Sequence, residues 1–273
     1  MNPRAARFAI YAQLVLGAVL MVIPMLWMVS ASLMPAGEAS TFPPRLLPRH
    51  VTFEHYVSLF TRLDLGRSLM NSAIIAVTVT GISILINSMA GYAFAKLRFR
   101  GRHGLFRVLA AGLVIPTQVS MLPLFLLMKQ LGLINSYWGV IIPGMASIFG
   151  IFLIRQYAQS IPDDLLDAAR MDGAGEFRIY TSIVLPTIVP ILATMGIWTF
   201  LSTWNDFMWP LIVLSDERRY TLPVALANLV GEHVQDTELM MAGSVLTIMP
   251  VMLVFLFLQR YYIQGVMVGS VKG

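Results

Sequence analysis

Six long apolar runs alternate with short polar segments along the chain. Their approximate limits are residues 8–33, 69–95, 105–128, 138–157, 183–213 and 240–263. Each run is close to or longer than the ~20 residues that a helix needs to cross the hydrocarbon core of a bilayer. The pattern therefore predicts six transmembrane helices and an all-α integral membrane protein.

The fifth run is too long for one straight span and contains Pro186, Pro190 and Pro210. Proline lacks a backbone donor and clashes with the preceding turn, so it bends or ends helices. We expect either a membrane-surface helix that leads into this span or a break near its far end.

Composition agrees with the membrane assignment, because 57% of the residues are hydrophobic and only 12% are charged. Soluble domains carry about 25% charged residues.

The net charge of +5 would suit a nucleic-acid-binding protein. The arginines lie in short loops, however, with no basic face or stripe, so we expect no nucleic-acid partner. The absence of cysteine excludes disulfides, thiolate metal sites and thiol nucleophiles.

The first run follows Arg4 and Arg7, as the core of a signal peptide does. Its apolar length far exceeds the ~7–15 residues of a cleaved signal. Ser30-Ala31-Ser32 resembles a cleavage site, but the length favours an uncleaved membrane anchor.

Basic residues predict the orientation of the six spans. Six spans place both termini on the same side of the membrane. That side then holds 12 lysines and arginines, and the opposite side holds 7, spread over longer loops. Segment 96–107 has five basic residues and no acid, and it is short enough for the positive-inside rule to apply. We therefore expect both termini and the loop 158–186 to be cytoplasmic.

Ionisable groups are almost missing from the spans. All four histidines fall in loops, and of fourteen acidic residues only Asp206 lies within a run, near its outer end. Ion-coupled secondary transporters usually carry such groups inside the membrane, so this class is disfavoured.

The chain also lacks a phosphate-binding loop and the H-E-x-x-H and G-x-S-x-G motifs, which disfavours a membrane enzyme. We expect no catalytic residue and no metal site, and any uphill transport needs energy from another subunit.

Uncharged polar residues do occur at membrane depth. They are Asn87, Thr117, Gln118, Trp204 and Asn205. One interpretation is hydrogen bonding between helices, which is common in membrane bundles. The other is a polar lining for a hydrophilic solute, with backbone irregularity at Pro116.

The loop 158–186 predicts a short helix. Ser160 is a candidate N-cap, Pro162 suits a first turn, and Asp163 complements the positive end of the helix dipole. Gly173 is a candidate helix stop, and a second helix should follow from about Ala174. At about three turns the first helix is too short to be stable alone in water. It either lies on its own bundle as a connector or docks on a partner.

The spacing of this loop resembles a known family. Asp167-Ala168-Ala169 is followed by three residues, Gly173, nine residues and then Ile183-Val184-Leu185-Pro186. Permease subunits of ATP-binding-cassette (ABC) importers carry the pattern E-A-A-x-x-x-G, nine residues, I-x-L-P, with Glu where this chain has Asp167. Segments 204–210 (WNDFMWP) and 259–273 (QRYYIQGVMVGSVKG) resemble the carbohydrate-uptake branch, and specifically the second permease of maltose-type transporters.

The resemblance implies a type I ABC importer permease fold and a coupling helix that docks on a cytoplasmic ATPase subunit. Asp167 would offer a charged contact, Ala168 and Ala169 would allow close approach, and Gly173 would form the elbow. The full set of candidate coupling residues is Asp167, Ala168, Ala169, Arg170, Met171, Asp172, Gly173 and Phe177.

The resemblance also implies the partners and the cofactors. Two ATPase subunits would bind ATP and Mg, this chain would bind no cofactor, and a second, different permease would complete the pathway. An extracytoplasmic solute-binding protein would rest on loops 34–68 and 214–239. The C-terminal Gly269–Gly273 would reach the ATPase interface.

The resemblance implies a location in a bacterial or archaeal cytoplasmic (inner) membrane. It also implies a chain organised in three parts. Residues 1–66 form an anchor helix and outer loop, residues 67–263 form the transport core, and residues 264–273 form a cytoplasmic tail. The implied substrate is a di- or oligosaccharide, with glycerol-3-phosphate or its diesters as the alternative. Candidate pathway residues are Asn87, Gln118, Trp204 and Asn205, although maltose-type systems place much of the sugar contact on the partner permease.

Overall fold

The computed structural model describes residues 3–232 and 236–270, and all regular structure within them is helical. The helices of that part are α1 (Pro3–Ala31), α2 (Glu54–Thr61), α3 (Leu65–Lys96), α4 (Arg102–Ala111), α5 (Thr117–Gln130), α6 (Tyr137–Gly144), α7 (Ile148–Ala158), α8 (Asp163–Met171), α9 (Glu176–Ile179), α10 (Leu185–Thr187), α11 (Val189–Trp204), α12 (Met208–Val213), α13 (Leu222–Glu232) and α14 (Thr237–Ser270). A π-helical turn at Tyr180–Val184 joins α9 to α10.

The predicted all-α architecture is confirmed, and the described residues contain four to six candidate spans. Within the described ranges, four segments are long and apolar enough to cross a membrane: α1, α3, the α6–α7 segment and α14. Two further pairs of helices pass the same test if each bent pair forms one span. These pairs are α4 with α5, and the segment Glu176–Thr187 with α11.

The third predicted span, 105–128, is broken at the irregularity expected beside Pro116. The chain turns by 107° between Val114 and Thr117. Ile115 is extended, with φ −77° and ψ 118°. Pro116 disfavours helical backbone at the residue before it and cannot donate a helical hydrogen bond, so the helix stops and restarts here.

The fifth run is interrupted twice. A bend of 77° separates Glu176–Thr187 from α11 around Ile188, beside Pro186 and Pro190. The helix ends again at Trp204, and α12 starts only at Met208. Both expected irregularities, the leading helix and the distal break, are therefore present.

The chain divides into two compact units, of which the first comprises residues 1–66 and 222–250. Its small core contains Ala31, Met34 and Ala39, against which Trp27 and Met241 pack. The backbone N–H of Ala39 donates to the carboxylate of Glu238 at 2.6 Å. The outer loop is thereby connected to the start of α14. The predicted division at residue 66 into an anchor and a transport core stays a prediction.

The second unit comprises residues 67–221 and 251–273. One buried cluster contains Ile75, Val79 and Trp209, and another contains Ile154, Leu166 and Val184. Glycines allow close helix contacts at the second of these clusters. A Cβ on Gly91 would lie 2.6 Å from Ile154, and one on Gly150 would lie 2.6 Å from Met195. Small residues at crossings are the usual way in which membrane helices pack.

The orientation of the spans stays a prediction, and the cysteine-free chain suits a direct test. Single cysteines can replace His50, Gly104 and Gly175, which are exposed or half-buried loop and helix-start positions. A Cβ at Gly104 or Gly175 meets no atom within 4 Å. We expect a membrane-impermeant maleimide to label His50→Cys in intact spheroplasts. It should label Gly104→Cys and Gly175→Cys only after permeabilisation. Labelling of Gly104→Cys in intact spheroplasts would reverse the assigned orientation.

Candidate functional site

The short helix predicted in the loop 158–186 is α8. It starts at Asp163, after Pro162 with φ −59° and ψ 133°, and two aspartates occupy its first turn. The predicted N-cap role of Ser160 is wrong, because its hydroxyl donates to the carbonyl of Tyr157 at 2.7 Å. Ser160 satisfies one of the free carbonyls at the end of α7 and is no longer available for α8.

The helix stop at Gly173 is confirmed. Gly173 has φ +82°, a conformation that side chains with a Cβ rarely adopt. Its N–H donates to Arg170 O at 3.0 Å, and the N–H of Ala174 donates to Ala169 O at 3.0 Å. This pair of bonds is a Schellman motif. The next helix begins at Glu176, two residues later than predicted.

One face of α8 packs on the bundle. Leu166 is buried in the cluster that contains Ile161, Ile179 and Tyr180, and Ala169 packs against the same cluster. The tip of the loop has the opposite character, since Met171 is 88% exposed and Phe177 72% exposed. The loop therefore packs on its own bundle through α8 and also exposes an apolar tip.

Lys96 fastens the start of α8 to the end of α3. Its Nζ lies 2.6 Å from Asp163 Oδ1, 2.5 Å from Ile161 O and 3.4 Å from Gln159 O. The Lys96 side chain is only 6% exposed. The hydrogen bond from Lys96, followed by its charge, lowers the pKa of Asp163.

Arg170 connects the two sides of the Gly173 elbow. Its Nη1 lies 2.6 Å from Asp167 Oδ1, and its Nε lies 2.8 Å from Glu176 Oε1. Glu176 Oε2 also accepts a 2.7 Å hydrogen bond from the hydroxyl of Tyr92. The bond to Glu176, and then that to Asp167, raises the pKa of Arg170, which stays charged. Asp167 nevertheless keeps 59% of its side chain exposed for a further contact.

Sequence reasoning missed Lys96, Glu176 and Tyr92 as parts of this elbow. Lys96 was interpreted only as a topology signal, and it also serves as a structural donor. Glu176 lies six residues after Arg170, across a glycine turn, where no helical spacing rule pairs residues. Tyr92 belongs to a different span, so only the folded chain brings it close. The candidate coupling residues, by contrast, lie together on this one elbow.

Asn87 is fully buried between helices. Its side-chain nitrogen donates to Ser83 Oγ at 2.8 Å, and its oxygen accepts from the backbone N–H of Ser147 at 3.0 Å. The second bond joins α3 to the start of α7, where Ser147 is the N-cap. This geometry matches the interhelical interpretation, and a pathway role for Asn87 stays a prediction.

The other pathway candidates lie in different environments. Gln118 and Thr117 are exposed in the first turn of α5, and the structure gives the Gln118 side chain no partner among the described residues. Asn205 is exposed and donates to Leu201 O at 2.9 Å. Trp204 is buried and stacks on Phe200 at 5.7 Å. Exposed polar groups thus remain at Gln118 and Asn205, and their pathway role stays a prediction.

The proposed C-terminal contact falls partly beyond the described residues. Helix α14 continues to Ser270, and the end of the predicted tail, 271–273, lies outside the described ranges. The same holds for residues 233–235 of the outer loop 214–239.

Replacing Lys96 with Met should detach the start of α8. A buried ammonium with three acceptors is lost, and a charge-assisted hydrogen bond contributes about 1.5–3 kcal/mol. We expect faster amide hydrogen exchange across residues 160–171 of the purified chain in nanodiscs. Arg98→Met, which removes an exposed charge from the same segment, should leave this exchange unchanged.

The pH dependence of this attachment has a definite sign. Because Lys96 lowers the pKa of Asp163, the ion pair is fully present above the unfolded value of about 3.9 and weakens only below it. Exchange corrected for intrinsic rates should therefore be constant between about pH 6 and 8. Equal exchange in Lys96→Met and the unmodified chain would contradict the attachment.

Comparison with known proteins agrees with this architecture. Residues 84–268 match the family described as binding-protein-dependent transport system inner membrane component. An arabinooligosaccharides transport system permease protein of Halalkalibacterium halodurans is 40% identical, over 94% of this chain and 93% of its own length. A lactose transport system permease protein of Rhizobium radiobacter is 34% identical, over 96% and 95%. A diacetylchitobiose uptake system permease protein of Streptomyces coelicolor is 32% identical, over 96% and 88%.

Solved structures agree as well. A chain from a bacterial ABC transporter involved in the import of the acidic polysaccharide alginate superposes with a TM-score of 0.83. It is 27% identical and the match covers 96% of this chain and 99% of the other. The family match spans more than half of the sequence, and the relatives align over nearly their whole length. The chain therefore belongs to the family of binding-protein-dependent transport system inner membrane components.

Proposed function

We propose that this chain is a permease subunit of an ATP-driven, binding-protein-dependent sugar importer in a bacterial or archaeal inner membrane. Its substrate is a di- or oligosaccharide. The names of the relatives support this class, since they refer to arabinooligosaccharides, lactose and diacetylchitobiose. None of the relatives described above is named for a glycerol phosphate, so that alternative gains no support from them.

The observation that carries the coupling role is the geometry of α8 and its elbow. Lys96 and Leu166 attach the helix to the bundle, whereas Met171 and Phe177 stay exposed. A protein that grips this tip can move the helix, and the attached spans must follow because packed interiors transmit displacement. The gripping partner is one of two ATPase subunits, which bind ATP and Mg and hydrolyse the nucleotide. This chain has no catalytic role.

Force entering at the tip has two routes into the membrane. The first passes through Lys96 into α3, and the second passes through Arg170 and Glu176 into the segment that leads to α11. Approach of two ATPase subunits would draw the elbows of two permeases together and open the pathway outward. Their separation would turn it inward. Such rigid-body rotation is an established form of switching between two states.

The remaining partners complete the assembly. A second, different permease supplies the other half of the pathway, and an extracytoplasmic solute-binding protein delivers the sugar. Loops 34–68 and 214–239 are its docking surface on this chain. A related solved structure, of a bacterial alginate ABC transporter, contains a periplasmic protein with bound alginate pentasaccharide. At 16% identity and a TM-score of 0.65 that structure supports the fold of this chain only.

The coupling role predicts different effects at two glycines of the elbow. A Cβ at Gly173 or Gly175 meets no atom within 4 Å, but Gly173 has φ +82° and Gly175 has φ −70°. A valine at position 173 is strained by about 1–2 kcal/mol in the left-handed conformation, so Gly173→Val should distort the elbow, while Gly175→Val fits its extended backbone. We expect Gly173→Val to lower sugar-stimulated ATPase activity and uptake at least fivefold.

The measurement uses cells in which each variant replaces the chain, together with the complex purified from them. Uptake of radiolabelled arabinooligosaccharide, lactose and diacetylchitobiose is followed against a strain that lacks the chain. Gly175→Val should behave like the unmodified protein. The proposal is wrong if loss of the chain leaves the uptake of all sugars tested unchanged. The coupling role is wrong if both valine variants retain full stimulation.

A further inference from the structure

One face of α11 is exposed and differs from a lipid-facing surface. Trp198, Ser202 and Asn205 follow one another at spacings of four and three residues, which places them on one side of the helix. All three are exposed, and Trp198 is 62% exposed. Residues Met195, Gly196 and Ile197 are buried against the bundle. The stripe is therefore aromatic and polar where a lipid-facing helix is aliphatic.

The depth of Trp198 makes lipid an unsuitable environment. It lies nine residues from the start of α11 at Val189, or about 14 Å along the axis, and at the middle of the apolar run 183–213 that is predicted to cross a hydrocarbon core about 30 Å thick. Membrane tryptophans normally lie at the interfaces. Among the described residues, the indole N–H of Trp198 and the hydroxyl of Ser202 have no hydrogen-bond partner. Unsatisfied donors in hydrocarbon are costly.

Helix α1 gives the comparison within the same chain. Its exposed large side chains between residues 14 and 20 are all aliphatic: Leu14, Val15, Leu16, Val19 and Leu20. The surface of α1 thus suits hydrocarbon, whereas the stripe on α11 does not.

Phe149 extends the stripe onto the neighbouring helix. Its ring centroid lies 6.4 Å from that of Trp198, with the planes tilted by 49°. Phe149 is the second residue of α7, which directly follows the non-helical stretch 145–147. A Cβ on Gly112 would lie 2.7 Å from Ile148, so the break before Pro116 is close by. Non-helical backbone at membrane depth occurs where it is buried in protein or lines a water-filled cavity.

We propose that Trp198 and Phe149 form a stacking platform for a sugar ring in the transport pathway, with Ser202 and Asn205 as hydrogen-bonding partners for its hydroxyls. This inference rests on the proposed function. A pyranose or furanose ring offers an apolar C–H face and a polar rim, which matches aromatic faces beside a hydroxyl and an amide. Helix α11 contains no charged residue, so the site suits a neutral sugar and not a phosphate. This chain then contacts the substrate directly.

The test compares Trp198→Leu and Trp198→Phe with Trp138→Leu. Trp138 is a matched control, because it is 53% exposed but lies at the start of α6, where an interfacial tryptophan is expected. The variants replace the chain in its own cells, and uptake is measured for whichever of arabinooligosaccharide, lactose and diacetylchitobiose the unmodified strain accumulates. Trp198→Leu should raise the KM for uptake about tenfold. Trp198→Phe, which keeps a ring, should change it less than about twofold, and Trp138→Leu should not change it.

A second measurement separates a water-filled pathway from lipid or from contact with the other permease. In the cysteine-free chain, Ser202→Cys should react with a small water-soluble thiol reagent, and the transported sugar should slow the reaction severalfold. Val15→Cys should not react, because thiolates do not form in hydrocarbon.

Three outcomes would overturn the inference. They are an unchanged KM in Trp198→Leu, an unreactive Ser202→Cys, and loss of the second permease from the purified Trp198→Leu complex. The last would identify Trp198 as a contact between permeases. If the unmodified strain accumulates none of the three sugars, the proposed function fails, and the thiol measurement alone then decides whether this face meets water.

Discussion

The attachment of α8 to the end of α3 by Lys96 is the interaction on which the placement of the elbow depends. An isolated three-turn helix is not stable in water, so α8 exists because the bundle holds it. Leu166 supplies the apolar part of this attachment, and Lys96 supplies the polar part by joining the backbone at Ile161 to the carboxylate of Asp163. The Lys96 side chain is almost fully buried but Asp163 is 71% exposed, so solvent screens the ion pair and the bond to Ile161 O is the more protected contact. The lysine that contributes to the predicted orientation thus also makes a structural contact.

The Arg170 network makes the elbow a unit and not two independent helices. Gly173 permits the sharp turn, but a glycine alone would leave the turn free to flex. Arg170 spans it by pairing with Asp167 before the turn and Glu176 after it, and Tyr92 ties Glu176 to α3. Exposed ion pairs are individually weak. Here, three polar contacts and the Schellman bonds constrain the same few residues, so a displacement of the tip is passed on.

How far the sequence predicts the structure depends on the range of the interactions. Periodic apolar runs predicted the six spans, and the glycine with its preceding helix predicted the elbow, because both follow from local backbone chemistry. The third run shows the limit, since Pro116 indicated an irregular backbone but not that the chain turns there by 107°. Ser160 shows a second limit. Its hydroxyl could accept a hydrogen bond at the start of α8 or donate one to a carbonyl at the end of α7, and the sequence is the same in both cases. Contacts such as Lys96 with Ile161 join segments more than sixty residues apart, beyond any spacing rule.

Polar groups at membrane depth fall into two classes, and hydrogen bonding distinguishes them. Asn87 has the residue type expected of a pathway, yet both ends of its amide are used to hold α3 against α7. Trp198 looks like an ordinary apolar residue in the sequence, yet its ring is exposed beside Ser202 at mid-depth. A group that is already satisfied inside the bundle has little to offer a passing solute. The exposed aromatic and polar groups on α11 need water, sugar or another protein as a partner. A permease that lowers the energy barrier to the passage of a sugar needs such surfaces.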